Sequence, residues 1–542
     1  MGGVVWTGVP GQPARRGWGV AVRRGRIQAV GSADDVLNLK GPHTSVQSFE
    51  GMALVPGFVD AHVHLLSGGL DLFRLELRGI GSPEDLVQRV ADRVRTTPPG
   101  EWILGGGWDE NAWGGPLPHR SWLDPVSPEN PVFLLRTDLH AGLCNSSALA
   151  LARITSESPD PALGTIDRDP GGGAPTGVLR EGALEAVARV LPAPSSADRE
   201  AALRAAARHA LSRGVTQVHD MGALQSAEES WASLHGLRAL NREGRLPLRV
   251  YAQVPLSERH ALAGFIAEEG RGNARLRWGG VKGFVDGSLG ASTAWLREPY
   301  RHLPGHHGGP ITDLEPLRAG ILEAGRLGLQ PINHAIGDRA VDWLLEVYGE
   351  LARAVPPRGL WPRIEHAQHL SDSALASVGT DSVYLSMQPA HLVDDGPWIE
   401  ERIGPERLGG AYPFRRLLDR GARLAFGSDW TVAPLDPMVA IEAAVRRRHR
   451  SGGVLSGDES IGFEEALRAH TSGGAGAGPW HADTGLLEPG RWADVAVLQP
   501  PPFQGDGRER FSETEVVMTF TGGALAWSRS GTVVEPPTGR KE

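Results

Sequence analysis

Through the middle of this chain, short apolar runs that end in polar or ionisable residues take turns with Ala/Leu/Arg/Glu-rich stretches of helical character. Ser195 to Arg213 reads as helix, GVTQVHD as strand, Ser226 to Arg242 as helix and LRVYAQV as strand. The series continues with WGGVKGFVDGS, LQPINHAIGD, PRIEHAQHL, SVYLSMQP and ARLAFGSDW. A strand that leaves into a helix and returns as a strand builds parallel βαβ units. Closed on themselves, such units give an α/β fold of the TIM-type (β/α)8 barrel, whose active site lies at the C-terminal ends of the strands.

The two ends of the chain are different. From Val4 to Val55, β-type runs (GVAV, RIQAVG, SFEGMALVPG) are split by glycine turns, and the pattern returns in GLLEPGRWADVAVLQP and VVMTFTGGALAWS. Chain ends often meet, so residues 1–55 plus 485–542 are expected to build one composite β-sandwich, with 56–484 the barrel. Within the barrel segment, 77–195 breaks the alternation, and its tryptophans amid many Gly and Pro suggest an insertion near the barrel mouth.

Composition narrows the classes of function. The 542 residues are 40% hydrophobic with a net charge of -9, which offers nucleic acid no basic surface. The basic run Arg446 to Arg450 reads as a solvated helix end. The single cysteine, Cys144, excludes an internal disulfide and a cysteine-rich metal site, and reads as buried packing in a reducing compartment. Without an apolar signal core or a run of about 18 uncharged apolar residues, the chain reads as a cytoplasmic enzyme with a small-molecule substrate and no membrane partner. A homodimer is compatible with the sequence, which does not demand one.

Chemistry concentrates at the strand ends. In PGFVDAHVHL, His62 and His64 stand two apart, so on a strand both imidazoles share a face and can point at one ion. A single pair of that kind equally describes two hydrogen-bonded core histidines. However, His334 ends LQPINH, His366 ends PRIEH and Asp429 ends ARLAFGSD. Core histidines have no reason to favour strand ends, whereas a metal at a barrel mouth requires it. Imidazole and carboxylate ligands suit Zn²⁺, and nickel, manganese or iron would accept a similar set.

With TDLHAGLCNS, TGVLRE, GVTQVHDMG, VKGFVDGSLG, NHAIGDRA, RIEHAQHL, SMQPAH, GSDW and GRWADVAVL, these segments resemble the amidohydrolase superfamily. Within it they resemble the YtcJ-like metal-dependent hydrolases, relatives of N-substituted formamide deformylases, over nearly the whole chain. The resemblance implies one or two metals held by His62, His64, His334, His366 and Asp429. It also implies a bridging role for Lys282, the position at which many members carry a carboxylated lysine. Such a lysine between apolar runs is costly unless exposed or paired, and the plain alternative is an ion pair with Asp286 or another carboxylate. Glu181 in TGVLRE is a second candidate bridging carboxylate.

The function so implied is hydrolysis of a C–N bond, in an amide or N-substituted formamide, by a hydroxide that the ion's charge makes available near neutral pH. Asp429 is the expected general base, and His140 or His366 a donor to the oxyanion. Sequence does not separate ligation from donation for His366. Neighbouring Glu365 is a candidate to orient an imidazole, although adjacent residues on a strand face opposite ways. Trp108, Trp113, His219, Asp286, Asp338 and Arg339 are candidates for substrate contact, each with a packing or loop-anchoring alternative. A deaminase, a cyclic-amide hydrolase and an ester or lactone hydrolase would use the same site, and a non-catalytic scaffold is the alternative from another class.

Overall fold

The computed structural model describes residues 1–136, 141–161, 164–171, 173–223, 226–355, 360–379, 383–503 and 513–530. It divides into two compact units, Met1–Gly69 with Glu200–Glu542, and Leu70–Arg199.

The larger unit is built on eight parallel strands: Phe58–Val63, Val215–Asp220, Arg249–Pro255, Leu276–Phe284, Gln330–Ala335, Arg363–His366, Tyr384–Met387 and Arg423–Phe426. Each pairs with the next in sequence order. The ring closes where Asp429 N donates to His62 O at 2.7 Å and His64 N to Trp430 O at 2.8 Å. Gly427 permits this approach, because a Cβ there would sit 2.6 Å from His62 N. Strands such as Phe58–Val63 and Val215–Asp220 are buried at every position, which is why they read as continuous runs. Capped helices return the chain between strands. Ser226, Asp313 and Asp436 each accept a first-turn N–H at the start of Ala227–Arg242, Leu314–Arg326 and Pro437–Arg446. The alternation read in the sequence is thus the alternation of a parallel barrel.

Both ends of the chain enter one seven-stranded sheet. Its centre is Ala53–Pro56, parallel to Gly3–Val5 on one side and antiparallel to Val495–Gln499 on the other. Val5, Ile27, Leu54, Leu487, Val495 and Val497 form its core. Arg249, on the third barrel strand, donates to both carboxylate oxygens of Asp494 at 2.6 and 3.1 Å, and both side chains are buried.

The smaller unit has its own six-stranded sheet, with a core that includes Leu77, Leu86, Trp108, Leu134 and Leu143. Cys144 is buried in its second cluster.

The basic run at 446–450 corrects one expectation. Arg447 has a left-handed backbone (φ 51°) and is fully buried, its guanidinium donating to the carbonyls of Leu455, Tyr412 and Ala411. It is a loop clamp inside a run that reads as solvated, and only its neighbours pair at the surface, Arg446 with Glu442 and Arg450 with Asp394. Among the described residues, no helix is long and apolar enough to cross a membrane.

Candidate metal centre

Three ligand atoms from three strand ends, one each on His62, His366 and Asp429, lie within 4.8 Å of one another, and all three residues are buried. Local backbone places them. Alternation along Arg363–His366 would send Glu365 and His366 to opposite faces, but His366 and Ala367 take φ of 75° and 44°, and this left-handed turn brings both side chains inward. Asp429 is presented by the same device, with φ 55°. Such backbone is costly for side-chain-bearing residues and persists where surrounding structure imposes it.

Hydrogen bonds fix which ring nitrogen faces the centre. His62 Nδ1 donates to Glu365 Oε2 at 2.6 Å, and His64 Nδ1 to Gly222 O at 2.7 Å. His366 Nδ1 donates to Gln388 Oε1 at 2.7 Å, and that amide is oriented by its own Nε2 donating to Ser386 O at 3.2 Å. With the proton on Nδ1, each of these neutral imidazoles turns an Nε2 lone pair inward. The lone pairs of His62 and His64 then stand 3.5 and 3.3 Å from Asp429 Oδ1. Acceptors facing acceptors across that distance, in a buried site, repel unless a cation lies among them, and imidazole nitrogen with carboxylate oxygen is the donor set of a transition-series dication. The residues therefore fit the ion that the strand-end pattern implies. His366 is resolved as well, because its inward atom has no proton to give and so ligates where a donor would be needed.

His334 is turned the other way. Its Nε2 donates to Gly287 O at 3.0 Å, which leaves the Nδ1 lone pair free, and its ring lies 4.4 Å from that of His366. Burial, and then the charge of Lys282, hold its pKa down at about 3; the same two causes bring His62 to about 4. Lys282 is 5% exposed, and the carboxylates that act on its charge are Glu365 and Asp429 rather than Asp286. Its Nζ lies 5.2 Å from the Phe284 ring, and burial lowers its pKa to about 8. Burial alone would raise the Asp429 carboxyl; positive charge among the His62, His64, His366 and His391 rings, which in the neutral tautomers above a bound cation would supply, holds it well below the ordinary carboxylate range.

Beneath the centre lies a buried network built on Arg363, a residue that the sequence reading does not single out. Arg363 Nε donates to Glu365 Oε1 at 2.9 Å, and its other nitrogens reach Ala61 O at 2.6 Å, Ser386 Oγ at 3.1 Å and His219 Nδ1 at 2.8 Å. Burial alone would raise Glu365, but Arg363 and the His62 N–H bring it down to about 2. Glu365 thus orients His62, on the first strand, and not its chain neighbour His366. Asp60 ties the first and eighth strands, its Oδ1 accepting from His62 N at 3.1 Å and Ser428 N at 2.9 Å. His391, just past the seventh strand, is the other residue that sequence reasoning misses. Its signal is the same as for the ligands, an ionisable residue after an apolar run, in SMQPAH.

Several residues expected to contact substrate have other partners. His219 is fully buried with both ring nitrogens engaged, one by Arg363 and the other by Gln217, so it is a satisfied interior histidine. Trp108 is fully buried in the smaller unit's own core, with Nε1 donating to Leu134 O at 2.8 Å, and Trp113 packs on that cluster. Glu181 is an exposed residue at the end of a strand in the smaller unit's sheet. His140 lies outside the described residues. Asp286 is a loop anchor, accepting from Trp295 N, Ile336 N and Gly337 N, and Asp338 does the same for Arg297 N and Arg339 N.

A closed parallel barrel with imidazoles and a carboxylate converging at its strand ends defines a metal-dependent hydrolase of the barrel class. Residues 46–526 match the amidohydrolase family model. The chain is 37% identical over 513 residues to Protein LONG AFTER FAR-RED 3 of Arabidopsis thaliana, covering 93% of this chain and 87% of that one. It is 30% identical to Putative amidohydrolase YtcJ of Bacillus subtilis (94% and 96% covered) and 28% identical to N-substituted formamide deformylase of Arthrobacter pascens (94% and 95% covered). Its fold is similar to that of an uncharacterized metal-dependent hydrolase from Pyrococcus horikoshii, with a TM-score of 0.75 at 31% identity over 94% of this chain and 98% of that one. The chain belongs to the amidohydrolase family.

Proposed function

We propose that this protein is a zinc-dependent hydrolase of C–N bonds in small amides, N-substituted formamides foremost. The observation that carries the reading is the convergence of His62 and His64 Nε2 on Asp429 Oδ1 with no proton between them. His62, His64, His334, His366 and Asp429 would hold the metal, which when bound supplies a Lewis acid that eases deprotonation of water near neutral pH. Asp429, which the positive charge of a bound metal would keep ionised, takes the proton of the attacking water and delivers it to the leaving nitrogen. Glu365 keeps His62 in the tautomer that points Nε2 inward, and Gln388 does so for His366. The choice of formamide rests on the deformylase relative.

A carboxylated Lys282 bridging two ions is the second reading, favoured by an amine that burial brings to about 8 and that makes no hydrogen bond among the described residues. A neutral amine is the form that adds carbon dioxide. The buried thiol of Cys144 supports a cytoplasmic setting.

The test is metal analysis by plasma mass spectrometry on protein purified without chelator, alongside turnover of N-benzylformamide, acyl anilides, lactones and aminated heterocycles. About one or two zinc ions per chain with turnover of formamides or anilides supports the reading. Turnover confined to lactones or to deamination replaces it, and a chain that takes up no metal ends it.

A further inference from the structure

We propose that His391 is a catalytic residue of this site, donating a hydrogen bond from Nε2–H to the carbonyl oxygen of the substrate. The inference rests on the hydrolase reading above for the identity of that oxygen. His391 is 9% exposed and begins a short helix just past the end of the seventh barrel strand, on the side of the barrel where the metal ligands gather. Gln368 Nε2 donates to His391 Nδ1 at 3.3 Å, so the ring proton sits on Nε2. That is the opposite tautomer from His62, His64 and His366, whose protons are on Nδ1.

The Nε2 atom is buried and, among the described residues, has no hydrogen-bond partner. It faces Asp429 Oδ2 at 3.7 Å, too far for a hydrogen bond and close enough to share a reacting group with the general base. The ring is stacked on that of His366, with centroids 6.1 Å apart and planes 17° from parallel. Leaving a buried donor unmet costs stability, so a donor held beside the base points to a ligand that satisfies it. The imidazoles of His62, His64 and His366 present lone pairs and cannot do this.

In the reaction the water oxygen bonds to the carbonyl carbon and the C=O π pair moves onto the carbonyl oxygen, where it meets the His391 N–H. The double bond then re-forms as the C–N bond breaks, and the nitrogen takes the proton that Asp429 received from water. His391 itself exchanges no proton.

Cobalt-loaded protein titrated with formate, a carboxylate that presents the same oxygen, tests this by visible spectrum and calorimetry. His391→Ala should weaken formate roughly 10–100-fold while cobalt stoichiometry stays at the wild-type value, and His391→Gln, which keeps an N–H, should recover part of the loss. Unchanged formate affinity in His391→Ala overturns the proposal, as does loss of cobalt from both variants, which would make His391 a ligand. A wild type that binds cobalt and formate but hydrolyses no amide refutes the amide reading alone, and the formate series still decides the role of His391.

Discussion

Glu365 and His62 are 303 residues apart in the chain, yet Oε2 of one accepts from Nδ1 of the other at 2.6 Å, with both side chains sealed from solvent. Glu365 also neutralises Arg363, so one carboxylate both aims a metal-binding imidazole and compensates a buried guanidinium. Glu365→Gln is expected to weaken zinc binding about 10–100-fold in chelator competition. Glu365→Leu, which strands Arg363, should in addition lower stability by about 3–5 kcal/mol in urea unfolding. Unaltered metal affinity in both variants would show that the contact does not aim the ligand.

Asp429→Asn should reduce kcat on the best probe amide by about 10²–10⁴-fold per bound metal, the span expected when a general base is removed. Activity referred to metal content separates that effect from poorer loading. A kcat within a few-fold of wild type would move the base elsewhere.

The barrel, the terminal sheet strands and the strand-end placement of His62, His334, His366 and Asp429 are legible because they depend on local patterns, an apolar run closed by an ionisable residue. The role of Glu365 is only half legible, as an orienting partner for an imidazole but not for which one, for a geometric reason. Strict alternation places it opposite His366, and only the left-handed turn at His366 and Ala367 turns both inward. His219 misleads because a strand-end histidine that feeds an interior arginine has the same sequence appearance as one that meets substrate. His391 does carry a usable signal in SMQPAH, but the proline and alanine between it and the apolar run set it beyond the strand end, where alternation no longer says which way a side chain faces.

His470, which is not among those ligands, offers a pH test of its own. Burial lowers its pKa from 6.5 to about 4, so the neutral ring is the form that the fold favours. Its contribution to stability is complete above pH 6.5 and is lost as pH falls toward 4, because the unfolded chain takes up a proton that the folded one resists. For metal-free protein, His470→Phe should make the fall in stability with acid shallower by up to ~1.4 kcal/mol per pH unit over that window. Urea unfolding at closely spaced pH values measures it, and parallel curves for the two proteins would contradict it.

Trp108→Phe should cost about 1 kcal/mol through loss of the indole hydrogen bond to Leu134 O, with KM for the probe substrate unchanged. A raised KM at undiminished stability would return Trp108 to the substrate pocket.

Asp494→Ala leaves Arg249 buried without its partner and should lower stability by about 3–5 kcal/mol, read from the urea midpoint. The double replacement of both residues by apolar ones should recover most of that loss.

The seven-stranded sheet also sets a schedule for synthesis. Ala53–Pro56 emerges early, but its antiparallel partner Val495–Gln499 is made only some 439 residues later (495 minus 56). At the ordinary pace of translation this is a wait of roughly 20–90 s. For that interval an apolar strand of sequence ALVP has an unpaired edge that other chains can join. A product that stops short of Val495 never closes that edge, so early termination should yield aggregates rather than a smaller working enzyme.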